Sequence, residues 1–509
     1  MNTNQTRGRV PFCLLCLAVL LMAGCSKKQA SPQNATPAST QQAAQQVAAP
    51  AALPATDASK MVLPSPYGIH TDDLDAMMKR RYIRALVIIN PISFFYTSGH
   101  PMGIMYEALR ELETEVNKKY KTGKFPVKVV FVPLRPDQVE EALHRGVGDM
   151  IAYGLVVTPE RERRVAFTVP LQTDIKQLVV SGPNFGTVST LEDLGGKEIV
   201  ANPLTVAYQH LQQVNENLKK TGKPLIDIRA ADPNLLDDDL IQMVNAGMIP
   251  ATVTRDSRAK LWSQVLPDIT IHSEPVIASG EKIAWAVRKD NPQLKQLLDE
   301  FITPRAVGSS FGNTLVRRHL QNTKWVKDAT SPGEMKKFQE LSAIFKQYSG
   351  QYGFDYLMMM AQGYQESLLN QSARNPSGAV GIMQVIPKFA AANPINVKDV
   401  HATQGNIEAG VKMLRQIEDQ YFNDPNIDQL NKTLMVFASY NAGPNRIARL
   451  RAQAQQQGLD PNKWFGNVEL LVAENVGEET VTYVGNVYKY YIAYKLAIQD
   501  EKEVAAASK

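Results

Sequence analysis

Residues 364–387 of this 509-residue chain read YQESLLNQSARNPSGAVGIMQVIP, and this stretch decides how the last third of the chain is interpreted. It continues a largely apolar run, 356–363, that is typical of a buried helix. Glu366 closes that helix and is the only acidic residue between positions 356 and 398. A lone carboxyl group in apolar surroundings loses hydration, which raises its pKa. The local sequence leaves two interpretations open: a buried proton donor, or an exposed glutamate at a helix end.

Helical spacing of apolar residues continues on both sides of this stretch. The segments that carry it are 335–348, 355–368, 407–421, 432–439 and 482–498, and strand signals are few. The sequence therefore predicts a compact, mostly α domain at 335–500, followed by a short tail at 501–509.

Four pieces of this region resemble the lysozyme-like domain of soluble-type lytic transglycosylases, which is also similar to goose-type lysozyme. The pieces are ES at 366–367, GAVGIMQVIP at 378–387, ASYNAGP at 438–444 and ETVTYV at 479–484, and they occur in the family's order. The resemblance implies a lysozyme-like fold. It also implies cleavage of peptidoglycan glycan strands between N-acetylmuramic acid and N-acetylglucosamine.

The same resemblance implies roles for individual residues. Glu366 would protonate the departing glycosidic oxygen and then act as the base. The residues that would bind the sugar are Asn375, Met383, Gln384, Tyr440, Asn441 and Tyr483. Met383 would pack beneath the sugar, and Tyr483 would lie beside the carboxylate or the acetamido group. Asn375 departs from the family, which often has serine there, but asparagine can also donate a hydrogen bond.

The number of carboxyl groups bears on the type of cleavage. Most glycosidases use two carboxyl groups, whereas the catalytic stretch supplies only Glu366. This favours a lyase reaction, in which the substrate's acetamido group and C6 hydroxyl trap the reactive centre and leave a 1,6-anhydro end. Glu478 and Glu479 lie near the last motif and could supply a second carboxyl group. Hydrolytic cleavage by a muramidase is therefore the alternative.

From residue 69 to residue 302, strand and helix signals alternate. Strands at 83–90, 127–134 and 150–157 are separated by helices at 102–120 and 137–145. A second set follows, with strands at 175–180, 226–230 and 251–254 and helices at 206–219 and 236–246. This alternation predicts a parallel α/β sheet in two lobes with a cleft between them. Residues 303–334 are predicted to connect this region to the helical domain.

The α/β region resembles the periplasmic solute-binding proteins that capture amino acids. The matching signature is GLVVTPER at 154–161, followed by VAFTVP at 165–170. In that family the arginine binds the ligand's α-carboxylate, so the resemblance implies this role for Arg161. Val156 replaces the family's usual Ser or Thr, and Arg255 lies near the place of an aspartate that pairs the ligand's amine. The ligand is left open between a peptide or muropeptide, another anion and none, with Arg161 then in a surface salt bridge.

The first 25 residues predict export and lipid attachment. Two arginines precede an apolar run at 10–23, which is too short to cross a membrane and is typical of a signal peptide. The run ends in Ala-Gly-Cys25, which resembles the bacterial lipobox, whose cysteine receives lipid after cleavage. A plain secretory signal is the alternative. Ser26 after the cysteine favours the outer membrane, facing the periplasm, over the inner membrane.

Composition predicts a disordered tether at 26–68, which is rich in Ala, Gln, Pro, Ser and Thr. All three cysteines of the chain lie within its first 25 residues, so no disulfide is expected in the mature protein. No later segment has the roughly 18 uninterrupted apolar residues of a membrane-spanning helix. The lipid on Cys25 is therefore the only predicted membrane anchor.

Charge and residue usage exclude several function classes. The net charge of +5 suits an anionic polymer such as cell wall but is too weak to indicate nucleic-acid binding. The seven histidines are scattered and no glycine-rich loop follows a strand, so no metal or organic cofactor is predicted. Two hypotheses remain: an enzyme whose α/β domain senses a ligand, and a solute-receptor lipoprotein whose helical domain only binds glycan.

Overall fold

The computed structural model describes residues 67–90, 93–97, 100–264, 266–305, 327 and 329–507. The predicted signal peptide with Cys25, most of the predicted tether and most of the predicted connector lie outside the described residues. The chain has the expected class of architecture, an α/β domain of two lobes followed by a mostly α domain.

The α/β domain contains the following helices and strands. The first group is α1 Leu74–Arg80, β1 Tyr82–Ile88, β2 Phe95–Thr97, β3 His100–Met102, α2 Ile104–Lys119, β4 Lys128–Leu134, α3 Val139–His144 and β5 Met150–Val156. The second group is α4 Pro159–Arg164, β6 Ala166–Phe167, β7 Gln172–Ser181, β8 Glu198–Ala201, α5 Val206–Lys220, β9 Asp227–Ala230, α6 Asp237–Asn245, β10 Ala251–Arg255, α7 Asp256–Trp262, β11 Thr270–Val287 and α8 Pro292–Ile302.

The main sheet is mixed, and the expectation of a parallel sheet was wrong in this respect. Its strand order is β10-β7-β11-β5-β1-β4, with β6 paired to β11. β1 runs parallel to β4 and β5, but β11 runs antiparallel to both β5 and β7, and β10 antiparallel to β7. The 18-residue β11 returns the chain from the second lobe to the first. Its pairing is irregular at several points, so its sequence lacks the clean alternation of a long strand.

Strand β1 shows how the alternating pattern builds the first lobe. Ile83, Ala85 and Val87 point into one core, which α1, α2 and α8 cover. Leu86 and Ile88 point to the other face, into a core that contains residues of α3. A separate core in the second lobe gathers residues of α5, β7 and β10. Each lobe therefore has its own interior, as expected for two packed units.

The helical domain comprises α9 Pro332–Tyr352, α10 Tyr356–Ser367, α11 Pro387–Ala391, α12 Thr403–Tyr421, α13 Gln429–Ala442, α14 Pro444–Gln456, α15 Glu469–Asn475 and α16 Glu478–Ala507. The side chain of Asp355 accepts a hydrogen bond from the backbone N–H of Leu357 and starts α10. Residues 357–364 of α10 are all buried, because this helix is apolar on every side and lies inside the domain, against α9 and α16. α16 continues through much of the predicted tail. Within the described residues, no helix combines the length and the apolar character needed to cross a membrane.

The second lobe and the helical domain are packed together. Buried residues of α6, among them Leu240 and Met243, belong to the same apolar cluster as the interior of the helical domain. Two polar contacts between α16 and the second lobe add to this apolar packing. The Tyr488 hydroxyl donates to Asp232 Oδ2 over 2.9 Å, and the Lys489 ammonium donates to Asp239 Oδ1 over 2.9 Å. The helix that carries these residues also contributes to the site described below.

Candidate active site

Glu366 lies in the last turn of α10 and is half-buried. The helix ends at Leu368 in the left-handed conformation, with φ of 58°, which turns the chain away immediately after the glutamate. The hydroxyl of Tyr483, from α16, donates a hydrogen bond of 2.6 Å to Oε1 of Glu366. Packing of α10 against α16 therefore brings together two residues that are 117 positions apart in sequence.

Burial raises the pKa of Glu366 to about 7, whereas the hydrogen bond from Tyr483 lowers it. Loss of hydration outweighs the hydrogen bond, since a carboxylate is stabilised by water more than by a single hydroxyl donor. Neither of these causes is a second carboxylate. The direction of the shift is the one expected from the sequence, and it leaves a large protonated fraction of this carboxyl group near neutral pH.

The loop after α10 is anchored to the helix α12 by Asn406. This fully buried side chain donates to the Val380 carbonyl over 2.9 Å and accepts from the Met383 N–H over 2.8 Å. Gly381 has φ of +77°, and a Cβ atom there would lie 2.3 Å from Asn406 Nδ2. The glycine is thus needed both for its backbone conformation and for the close approach of the asparagine.

Met383 lies beneath the surface of the site and is hydrogen-bonded to the half-buried Tyr440. The Tyr440 hydroxyl donates to the Met383 carbonyl over 2.8 Å. The Met383 side chain is fully buried, and it packs where Gly410 has no side chain. This burial suits the supporting position beneath the sugar that the resemblance implies for it. Gln384, the next residue, is half-buried, has φ of 47° and donates from its amide to the Gly381 carbonyl.

Asn375 and Asn441 are both half-buried, but their amide oxygens already have protein partners. Asn375 Oδ1 accepts from the backbone N–H of Ser377 over 2.9 Å, within a tight turn. Asn441 Oδ1 accepts from the Thr480 hydroxyl over 2.7 Å. The second contact links α13 to the first turn of α16, three residues before Tyr483.

Sequence reasoning missed Gln362, which lies one helical turn before Glu366. Its side chain is fully buried, and its amide nitrogen lies 3.3 Å from the Tyr483 hydroxyl oxygen, to which it donates. Asn406 was also missed. The available signal for Gln362 was a single amide side chain inside the apolar run 356–363, and no local pattern marks Asn406.

A second site lies between the two lobes of the α/β domain, where a cavity encloses about 930 Å³, part of it open to solvent. Residues from both lobes line it, including Arg135, Arg161, Arg255, Asp237 and Asn202. Arg161 is already paired, since its Nε donates to Glu140 Oε1 over 2.9 Å and its Nη1 donates to the Val156 carbonyl over 3.1 Å. Arg255 Nη1 donates to the Gly154 carbonyl over 3.2 Å.

In the part of the chain that the structure describes, no three His, Cys, Asp or Glu side chains come close enough together to hold a metal ion.

Two family models match the chain, one on each domain. Residues 86–305 match the bacterial extracellular solute-binding proteins of family 3. Residues 343–464 match the transglycosylase SLT domain, and this segment includes Glu366 and the anchored loop. The order of the two domains is the order predicted from the sequence.

Relatives are similar along most of the chain. The protein named membrane-bound lytic murein transglycosylase F from Idiomarina loihiensis is 23% identical over 450 residues, which are 83% of this chain and 92% of that protein. The protein of the same name from Desulfosudis oleivorans is 25% identical over 445 residues, 82% of this chain and 91% of that protein. Among solved structures, an ancestral amino acid-binding protein described as a precursor of cyclohexadienyl dehydratase aligns with 48% of this chain and 98% of its own, at 22% identity and a TM-score of 0.38.

These matches confirm the resemblance and the class of enzyme predicted from the sequence, a lytic transglycosylase. The chain has a region that matches the family 3 solute-binding proteins followed by a region that matches the transglycosylase SLT domain, and it is similar over about four fifths of its length to proteins named membrane-bound lytic murein transglycosylase F.

Proposed function

We propose that this chain cleaves the β-1,4 bond between N-acetylmuramic acid and N-acetylglucosamine in peptidoglycan and leaves 1,6-anhydro-N-acetylmuramic acid ends. The observation that carries the proposal is the state of Glu366. It is a half-buried carboxyl group with a pKa near 7, held by one tyrosine hydroxyl, and no carboxylate is among the causes of its pKa shift. A single carboxyl group that is protonated near neutral pH suits a general acid.

In the first step, protonated Glu366 gives its proton to the glycosidic oxygen as the bond between that oxygen and C1 of N-acetylmuramic acid breaks. The acetamido oxygen of the same sugar stabilises the positive charge that develops at C1. In the second step, the Glu366 carboxylate takes the proton of the C6 hydroxyl, and O6 bonds to C1. The acid is thereby regenerated and no water is consumed.

The residues proposed to bind the sugar act in two ways. Asn375, Gln384, Tyr440 and Asn441 are half-buried, which suits direct contact with a substrate. Because the amide oxygen of Asn375 already accepts a protein hydrogen bond, its NH₂ group is the expected donor to the sugar. Met383 supports this surface from below through its carbonyl contact with Tyr440.

The test is product analysis by mass spectrometry after purified sacculi are digested with the full-length protein. Anhydromuropeptides are expected. Reducing-end muropeptides would instead show hydrolysis by a muramidase, with Glu479 as the candidate second carboxyl group. Glu479 is exposed and lies one helical turn before Tyr483 on α16, so this alternative is tested by the same digest. Sugar binding without any product would support the solute-receptor hypothesis.

The rate of cleavage is expected to fall as the pH rises through about 7. The general acid must be protonated, and the pKa of Glu366 is raised to about 7, so the active form dominates below this pH. Above it, kcat/KM should drop about tenfold per pH unit. The measurement is the initial rate of muropeptide release between about pH 5 and pH 9, with circular dichroism at each pH to check folding. A rate that stays constant to pH 9 would contradict Glu366 as the acid.

We further propose that the α/β domain senses a wall fragment and regulates cleavage. Arg135 supports this role, because it lines the inter-lobe cavity and donates to Asn234 and to the Pro233 carbonyl of the second lobe. The same side chain packs against Gly466 of the helical domain. Two further contacts, Tyr488 with Asp232 and Lys489 with Asp239, join the second lobe to α16, the helix that carries Tyr483.

Replacing Lys489 by methionine is expected to weaken this regulation. A disaccharide-tetrapeptide muropeptide added to the full chain should change the cleavage rate at least about fivefold, a typical size for coupling between two sites. In Lys489→Met, which breaks the ion pair between the buried lysine and the half-buried Asp239, the response should fall below about twofold. Lys495→Met is the matched control, since that side chain lies on the same helix but is exposed. An equal response in all three proteins would contradict the regulatory role of this junction.

The proposed location is the periplasmic face of the outer membrane, with lipid on Cys25 as the anchor. The names of the relatives support membrane association. Replacing Cys25 by serine should move the protein from the membrane fraction to the soluble fraction after cell fractionation. Retention of Cys25→Ser in the membrane would contradict the lipid anchor.

A further inference from the structure

Gln362 is an amide in the most apolar part of the helical domain. Its side chain has no solvent exposure, and its neighbours on α10, Met359, Met360 and Ala361, are also fully buried. Burying an amide costs free energy unless hydrogen bonds replace its hydration. The amide oxygen has no partner among the described residues, whereas the nitrogen donates to the Tyr483 hydroxyl. The hydrogen bond to Tyr483 is therefore the polar contact that the buried Gln362 side chain makes.

A tyrosine hydroxyl has one hydrogen and can both donate and accept. At Tyr483 the oxygen receives the Gln362 amide from one side and lies 2.6 Å from Glu366 Oε1 on the other. With its oxygen engaged by a donor, the hydroxyl directs its single hydrogen to Oε1. Within the described residues, this is the hydrogen bond that the structure shows to the Glu366 carboxyl group. If Oε1 accepts from tyrosine, the proton of the acid form resides on the other oxygen, Oε2.

We propose that Gln362 is a positioning residue for proton transfer: by donating to the Tyr483 oxygen, it directs the tyrosine hydrogen onto Oε1 of Glu366 and so keeps the transferable proton on Oε2. Without this donor, the tyrosine oxygen is free to accept the proton of Glu366 itself. The protonated Glu366 would then donate its hydrogen bond to the tyrosine oxygen, and its proton would not be directed at the glycosidic oxygen. The inference rests on the proposed function, since it concerns the same acid.

The groups that face this chain of hydrogen bonds are few, which makes its pH dependence interpretable. Glu366 is affected by its own burial and by Tyr483 from α16. Tyr483 in turn is affected by Glu366, Gln362 and Tyr440 from α13, and burial keeps its pKa far above its usual value. Tyr483 therefore stays protonated across the range in which Glu366 titrates.

The test is Gln362→Met, which has a similar length and no donor. Its kcat on sacculi should fall about tenfold at about pH 6, the effect expected for one misdirected hydrogen bond, with little change in KM. The basic limb of its pH profile should move upward by about half a unit or more, because the Glu366 carboxylate loses a well-directed donor. Ser349→Ala removes another fully buried polar group of the domain and is the control for loss of buried polarity alone.

A double-mutant cycle with Tyr483→Phe separates positioning from a purely structural role. If Gln362 acts through the tyrosine, adding Gln362→Met to Tyr483→Phe should change kcat less than about twofold. A further tenfold loss in that background, or an unmoved pH limb in the single variant, would overturn the inference. These outcomes are distinct from failure of the proposed function, which would appear as full activity in Glu366→Gln. Thermal unfolding of each variant confirms that it is folded.

Discussion

Replacing Glu366 by glutamine is expected to lower the rate of glycan cleavage at least about 1,000-fold while leaving the fold intact. Glutamine has nearly the same shape, and its amide oxygen can still accept the Tyr483 hydrogen bond. It has no proton to give to a glycosidic oxygen, and general acid catalysis contributes about 10² to 10⁴ in rate. Release of soluble muropeptides from sacculi measures the loss. Glu340→Gln, the same change at an exposed position of α9, should retain full activity.

The free energy of unfolding of Glu366→Gln, compared with that of the wild-type protein at several pH values, tests whether Glu366 is buried. The pKa of Glu366 is about 7 in the folded chain and is 4.5 for the free group, so folding favours the protonated form. The wild-type protein therefore loses stability, relative to the glutamine variant, as the pH rises from about 4.5 through 7. At about pH 8 the variant should have the larger free energy of unfolding, by about 3 kcal/mol. Below about pH 4 the difference should vanish, and a gap independent of pH would contradict the burial of this carboxyl group.

Replacing Gly381 by alanine is expected to destabilise the helical domain by about 3 kcal/mol or more and to remove most of the activity. A Cβ atom at this position would lie within 2.7 Å of three atoms of the Asn406 side chain, and the backbone is in the left-handed region. Asn406 would have to move, and its bonds to the Val380 carbonyl and the Met383 N–H would break. Gln384 and the Tyr440 contact at the Met383 carbonyl would then shift.

Gly378→Ala is the matched control for the Gly381 variant. Gly378 has φ of +89°, so alanine is strained there as well, but no atom lies within 4 Å of the added Cβ. Gly378→Ala should lower the free energy of unfolding by about 1 kcal/mol, the usual penalty for placing a residue with a side chain in this backbone conformation. Denaturant unfolding of both variants measures the difference. Equal losses would mean that backbone strain, and not the clash with Asn406, determines the need for Gly381.

Local periodicity predicted the longer regular elements of the α/β domain but missed α1, α4, α7 and α8 and five of its strands. The helix expected at 206–219 is observed at Val206–Lys220, and the strand expected at 127–134 is Lys128–Leu134. β11 was missed because its apolar pattern is interrupted around Gly280, where the pairing register shifts. Its antiparallel direction follows from the return of the chain between the lobes. No pattern of neighbouring residues encodes that return.

For the candidate site, the motif residues identified the region but not the layer in which each one lies. Met383 was expected to pack beneath the sugar, and its complete burial depends on Gly410, which is 27 positions later in the sequence and leaves room for it. The contact between Gln362 and Tyr483 likewise depends on how α10 packs against α16. Such positions follow from tertiary packing, which the resemblance of four short pieces does not specify. The roles assigned to the individual residues remain predictions for the experiments above.

The apolar cluster shared by α6 and the helical domain restricts how this chain can be divided. Cutting it at the segment between its two domains would leave Leu240, Met243 and Val244 facing water on one fragment and their apolar partners facing water on the other. Exposed apolar surfaces of that kind promote self-association. A catalytic fragment made for the laboratory would therefore need polar substitutions on that face to stay dispersed. In the intact chain, this shared apolar face couples the two domains. Unfolding of either domain would expose the apolar face of the other and so lower its stability.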